Sequence, residues 1–142
     1  CNPRAEIAAI KQRNSETNKN LKRLCRMMRA WRDFNNVPIS GMLIDTLAYQ
    51  FIGSWRYRDK SYLYHDLMAY EFFAFLAETN TDQQFWRAPG RGSNIGKKGN
   101  FQWKARVACN LASQALGYDN NGQIWSRRQT WRKIFGSAYP AQ

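Results

Sequence analysis

The sequence predicts an all-α fold, a compact bundle of about five to six helices with a long glycine-rich loop at about 79–100. Three observations predict it. Apolar residues recur at helical spacing in one stretch after another, and no segment shows convincing strand alternation. Breaks rich in Asn, Pro and Gly fall between those stretches. The chain has 142 residues, 44% hydrophobic and 15% aromatic, which suits one domain with a real core rather than a disordered segment.

Taken in order, Pro3 can begin a short helix with Ile7 and Ile10 as its buried positions. Asn14 and Ser15 interrupt it, and Ser15 is placed to cap a longer helix at about 16–34. In that helix Leu21, Leu24, Cys25, Met28 and Trp31 fall in one apolar sector. Lys19, Lys22, Arg26 and Arg29 recur at i, i+3, i+7 and i+10 as a separate basic stripe, whose plain alternative is a solvated helix face. Asn35-Asn36-Val37-Pro38 breaks the helix, because Pro38 cannot continue it and pushes Val37 toward extended backbone.

Ser40 is an N-cap candidate for a third helix at about 41–54, and Ile39 with Ile44 is spaced as a hydrophobic staple. Met42, Leu43, Ile44, Leu47, Ala48, Phe51 and Ile52 make it apolar around most of its girth, so it is expected to be central. Asp45 on such a helix needs a partner, which Arg26 or Arg29 can supply. The plainer reading has Asp45 facing water or closing an interhelix salt bridge. Trp55-Arg-Tyr-Arg58 is a basic-aromatic connector, and Asp59 can cap a fourth helix at about 60–78 carrying Leu63, Leu67, Met68, Tyr70, Phe72, Phe75 and Leu76. His65, the single histidine, reads as a surface or hydrogen-bonded residue.

Four glycines and Pro89 keep residues 84–100 out of a regular helix. Gly90-Arg91-Gly92-Ser93 looks like a phosphate cradle, but it lacks the Walker pattern and follows no strand. The simpler expectation is a strap pinned by Phe85, Trp86 and Ile95. A fifth helix at about 100–117 carries Ala105, Ala108, Ala112 and Ala115 as a small-residue stripe, and Gly117 is expected to end it. A sixth at about 121–135 uses Ile124, Trp131, Ile134 and Phe135, with Gly136 as its stop.

The formal net charge is +12, an excess that favours polyanions, nucleotides or an acidic partner surface. No run of 18 apolar residues exists, so no membrane partner is expected, and no signal-peptide pattern opens the chain. Cys1, Cys25 and Cys109 lack zinc spacing, and a reducing cytoplasmic setting fits them better than a disulfide framework. Catalytic equipment is sparse. No carboxylates are spaced Asp-x-Asp to hold paired cations, no serine sits in G-x-S-x-G, and one histidine leaves few ways to build a triad.

The stretch Leu21-Lys-Arg-Leu-Cys-Arg-Met-Met-Arg-Ala-Trp-Arg-Asp33, followed by Val37-Pro-Ile-Ser-Gly-Met-Leu-Ile-Asp-Thr-Leu-Ala-Tyr49, resembles a known family. It is similar to the C-terminal helical half of bacterial nucleotidyltransferases that make cyclic oligonucleotides in antiphage defence, relatives of animal cyclic GMP-AMP synthase and oligoadenylate synthase. Trp86-Arg-Ala-Pro-Gly-Arg-Gly-Ser-Asn94 and Trp131-Arg-Lys-Ile-Phe-Gly136 also resemble that family's later segments.

The resemblance implies that residues 1–142 form one substrate-closing helical domain, like the helical domain of oligoadenylate synthase-type enzymes. In such enzymes an N-terminal domain carries a Gly-Ser motif followed by the metal-binding carboxylates, and no Gly-Ser of this sequence is followed by such a carboxylate pair. The resemblance therefore implies NTP as the partner of the joined protein, Mg2+ as its cofactor with none bound by this chain, and no turnover by the chain alone. Arg29 of Arg29-Ala-Trp31 matches the basic residue that holds the donor triphosphate, and Ser40 of Pro38-Ile-Ser40 matches the serine that helps it. Arg29 departs from the lysine of some relatives but can hold phosphate bidentately. Arg26 and Lys22 are expected to lend electrostatic support, and no residue here is assigned a catalytic or metal-binding role. The rival reading is a non-catalytic basic module that binds nucleic acid or an acidic protein, and a third is a scaffold presenting an effector or oligomer interface.

Overall fold

A computed structural model describes residues 3–17, 19–55, 65–89, 94–119 and 124–136. Six helices dominate: α1 (Pro3–Glu16), α2 (Asn20–Asn35), α3 (Gly41–Ser54), α4 (His65–Ala77), α5 (Phe101–Asp119) and α6 (Ile124–Phe135). Two short strands, β1 (Phe85–Arg87) and β2 (Asn94–Gly96), lie between α4 and α5. The architecture is thus a mostly helical bundle with a small two-stranded sheet.

The hairpin corrects the expectation of a glycine-rich loop without strands at about 79–100. It is antiparallel, with Phe85 opposite Gly96, Trp86 opposite Ile95 and Arg87 opposite Asn94. Trp86 and Ile95 point inward and are buried, so those two expected pins are in place. Phe85, the third, is 62% exposed, because alternate residues of a strand face opposite sides. The Trp86 ring meets Phe101 at the start of α5, 5.8 Å between centroids. The Gly90–Ser93 cradle lies outside the described residues, as do Asp59, Leu63 and Arg56–Arg58 of the connector.

α2 is the hub, touching α1, α3, α4 and α6. Its apolar sector is buried as spaced, with Leu21, Leu24, Met28 and Trp31 in the core and Cys25 half-buried beside them. The break between α1 and α2 falls later than Ser15 suggests. α1 runs on to Glu16, and Lys19 turns the chain in the left-handed region at φ 63°. A lysine side chain offers no acceptor to the free N–H groups of the next helix. Asn14 of α1 does the work instead, its Oδ1 accepting from Lys22 N at 3.0 Å. At the other end Asn36 takes the left-handed conformation, φ 53°, and its N–H reaches Arg32 O.

α3 is buried along Leu43, Ile44, Leu47, Ala48, Phe51 and Ile52, whereas Met42 stands half exposed. Ile39 and Ile44 are both buried, as a staple requires. α1 is the least embedded helix. Ile10 packs against the core, but Ile7, expected to be buried, is 66% exposed. Its anchor is Arg13, which lies 4.1 Å over the Tyr49 ring and donates to Tyr49 O at 2.9 Å. His65 is hydrogen-bonded, its Nε2 lying 3.1 Å from Asn20 Oδ1.

α5 packs most extensively, against α4 and α6. All four alanines of its stripe are buried, which lets the helices approach closely. Gly117 does not end α5, since the helix continues to Asp119. Gly136 does stop α6, at φ +68°, where a Cβ would lie 2.5 Å from Phe34 Cδ1. Asn35 ties three helices together. Its Nδ2 donates to Trp31 O of its own helix at 2.9 Å and to Ile134 O of α6 at 2.8 Å. Its carbonyl accepts from Lys104 Nζ of α5 at 2.9 Å.

Candidate functional site

Two of the four candidate residues, Arg29 and Ser40, come together where α2 ends and α3 begins. Ser40 caps α3 with extended backbone, and its Oγ accepts from Leu43 N at 3.1 Å. Capping uses Oγ as an acceptor, so the hydroxyl hydrogen remains to be donated. The N–H groups of Gly41 and Met42 belong to the open first turn, where the helix dipole favours an anion.

Two guanidinium groups stand over this turn. A Cβ built on Gly41 would lie 3.2 Å from Arg29 Nη2 and 3.3 Å from Arg32 Nη1. Glycine at the first position of α3 therefore lets both cations close on the helix end. Arg29 Nη2 also pairs with Asp45 Oδ2 at 2.6 Å and reaches Gly41 O at 3.5 Å. Arg29, rather than Arg26, thus supplies the partner that Asp45 needs, and the contact is an interhelix salt bridge. Among the described residues no acceptor engages Arg29 Nη1 or Nε. The pair fixes the arginine by one nitrogen and leaves its other edge open to solvent, with the side chain 46% exposed.

Behind the pair the site is tighter. Asp45 Oδ1 is buried without a hydrogen-bond partner of good geometry. The Cys25 thiol shares the crevice. Burial above all, then the charge of Asp45 and a hydrogen bond to it, push the thiol far above its ordinary range, while Arg29 pulls weakly the other way. Cys25 is thus a neutral thiol at physiological pH and a poor nucleophile.

The four residues singled out in the sequence are not equivalent in space. Arg29 stands at the α3 N-terminus, next to Ser40. Arg26 and Lys22 are exposed one and two turns back along α2. The Cys25–Asp45 and Arg29–Gly41 contacts show that α2 and α3 run in opposite directions here, so the stripe leads away from the α3 N-terminus. Neither Arg26 nor Lys22 has a side-chain partner among the described residues.

Two further cations join the junction. Arg32 continues the stripe three residues beyond Arg29, so its position was readable from the spacing. Lys98 approaches from the segment between β2 and α5, and nothing in the local sequence announces it. Together with Asp33 and residues 36–39 they line an open groove of about 380 Å3. Asp33 holds Arg32 Nε at 3.0 Å, which leaves Nη1 directed to the α3 end.

Among the described residues no group of three or more His, Cys, Asp or Glu side chains could hold a metal ion, and the two carboxylates of the site, Asp45 and Asp33, are paired with Arg29 and Arg32. With its carboxylates paired to arginines, the junction presents mainly hydrogen-bond donors. Such an arrangement can bind and orient an anion. No helix among the described residues is long and apolar enough to cross a membrane. Compared with protein-family models, curated proteins and solved structures, the chain matches none.

Proposed function

We propose that this chain is the substrate-closing helical domain of a nucleotidyltransferase that makes cyclic or linear oligonucleotide messengers from NTPs, and that the α2–α3 junction holds the donor triphosphate. One observation carries the proposal. The guanidinium tips of Arg29 and Arg32 both lie over Gly41, the first residue of a helix capped by Ser40. The resemblance of residues 21–49 to the helical half of such enzymes supports the same assignment.

In this reading Asp45 holds Arg29 by Nη2, so its free edge is ready for a phosphate oxygen before substrate arrives. Holding an arginine in place reduces the ordering cost of binding. Ser40 donates its hydroxyl to a second oxygen, and the Gly41 and Met42 N–H groups meet the charge at the helix dipole. Arg26 and Lys22 raise the local potential without touching the phosphates. The metal carboxylates, and the chemistry at the reacting phosphorus, belong to the other domain of the joined enzyme.

The test uses the protein encoded together with the region upstream of Cys1. Arg29→Ala is expected to weaken NTP affinity and lower product yield by about tenfold or more, since it removes a charge-assisted contact. Unchanged affinity and yield overturn the proposal. So does an upstream region that lacks a Gly-Ser motif and a carboxylate pair.

A further inference from the structure

A second concavity lies between α2, α5 and α6 and uses none of the residues of the α2–α3 junction. It encloses about 140 Å3, and its walls include Trp103, Val107 and Leu111 of α5 and Ile134 of α6. Among the described residues its charged lining is Lys104 and Lys133, and no carboxylate lines it. Trp103 is 62% exposed and Val107 43% exposed, so the wall of the pocket continues into an open apolar rim.

Size and charge together select the occupant. Sites for drug-sized ligands and cofactors occupy about 300–1,000 Å3, so this pocket is too small for a nucleotide or a cofactor. It has room for one large apolar side chain, the kind that anchors a protein interface in a desolvated pocket. Around it the cations lack balance. Lys133 and the neighbouring Arg132 close the last turn of α6, and neither has a partner among the described residues. Lys104 bonds the Asn35 carbonyl yet keeps its positive charge. An exposed tryptophan beside lysines that no carboxylate neutralises is complementary to an apolar residue flanked by carboxylates.

We infer that the α2–α5–α6 pocket docks an acidic peptide segment of a partner protein, with one large apolar side chain of that segment seated against Trp103 and Ile134. The anchor side chain covers the exposed indole and fills the concavity. Flanking Asp and Glu residues of the partner pair with Lys133 and Lys104. The inference stands apart from the nucleotidyltransferase proposal, because a chain with no phosphate site could still present this face.

The probe is the capped peptide acetyl-Asp-Glu-Leu-Phe-Asp-Glu-amide, titrated into the 142-residue chain while the indole N–H resonance of Trp103 is followed. Saturable shifts at Trp103, weakening as salt is raised and absent with the Asn/Gln analogue of the peptide, are expected. Lys133→Glu, an exposed substitution, is expected to weaken binding roughly threefold to tenfold with an unchanged circular dichroism spectrum. Trp103→Ala is expected to remove binding. The inference is overturned if millimolar peptide leaves Trp103 unmoved, if the neutral analogue binds equally, or if Lys133→Glu has no effect. It is also overturned if the chain self-associates through this face, shown by a concentration-dependent dimer that Trp103→Ala dissolves. Displacement of the peptide at Trp103 by a single-stranded oligonucleotide of higher affinity likewise overturns it.

Discussion

Arg29 on α2 holds Asp45 on α3 at 2.6 Å, and the pair closes the crevice that contains Cys25. The carboxylate needs this arginine more than the arginine needs the carboxylate. Asp45 is the less exposed partner, 24% against 46%, and its Oδ1 is fully buried. Arg29→Ala should therefore destabilise the chain by about 1 kcal/mol, because it strands a partly buried charge. Asp45→Ala in the Arg29→Ala background should cost less than in the wild type. A double-mutant cycle in urea is expected to give a coupling of about 0.5–1 kcal/mol. Strict additivity would contradict the pairing.

The buried thiol predicts a loss of stability in alkali. Cys25 has its pKa raised in the fold, by burial first and by Asp45 second. Above the ordinary thiol value of 9.0 the unfolded chain releases this proton while the folded chain keeps it. The unfolded state then binds fewer protons, so unfolding free energy falls as pH rises. The stabilisation from keeping the thiol neutral is complete below that value and is lost as pH climbs toward the raised folded pKa. Cys109 is also pushed up, by burial and by Glu78, but it is common to both proteins in the comparison. Cys25→Ala should show a shallower decline of midpoint urea concentration above pH 9 than the wild type. Parallel curves would contradict the assignment.

Gly53 sets the docking of α1. A Cβ there would lie 1.8 Å from Arg13 Nη1. The guanidinium can swing away, but only by leaving the Tyr49 ring and the Tyr49 carbonyl. Gly53→Ala should therefore release α1 locally, while the gain in helix propensity, about 1 kcal/mol, supports α3. Amide exchange in α1 is expected to accelerate with little change in the thermal midpoint. Arg13→Ala should reproduce the exchange pattern. Unaltered exchange in α1 would show that Arg13 is not its anchor.

Sequence periodicity made most of the helices legible, because burying an apolar stripe leaves a regular trace. The α2 sector and the α5 alanine stripe are buried as spaced. Local signals were weaker guides to where helices stop. Ser15 has the right chemistry for a cap, but Asn14 reaches Lys22 N across the turn, and only the folded turn reveals that. Gly117 is permitted to end a helix and does not, because α5 runs on to Asp119 through it. The hairpin was hidden because three residues a strand are too few to show alternation, and its order comes from Trp86 packing on distant Phe101. At the junction, spacing marked the basic stripe and the Ser40 cap, and the resemblance singled out Arg29 from that stripe. Spacing did not choose between Arg26 and Arg29 for Asp45, because that depends on how α3 is rotated against α2. Lys98 was out of reach for the same kind of reason, being brought to the groove by the hairpin.

Asn35 makes a final point about timing. Its side chain binds a carbonyl 99 positions later, and its own carbonyl is bound by a lysine 69 positions later. While the chain is being made, the ribosome releases α2 long before either partner exists. Trp31 can meet Phe73 once α4 has emerged, but the side of α2 that faces α6 stays uncovered until the last helix is made. A nascent chain stalled before Ile134 would be a natural client for a holding chaperone, and the last helix would act as the latch that ends that dependence.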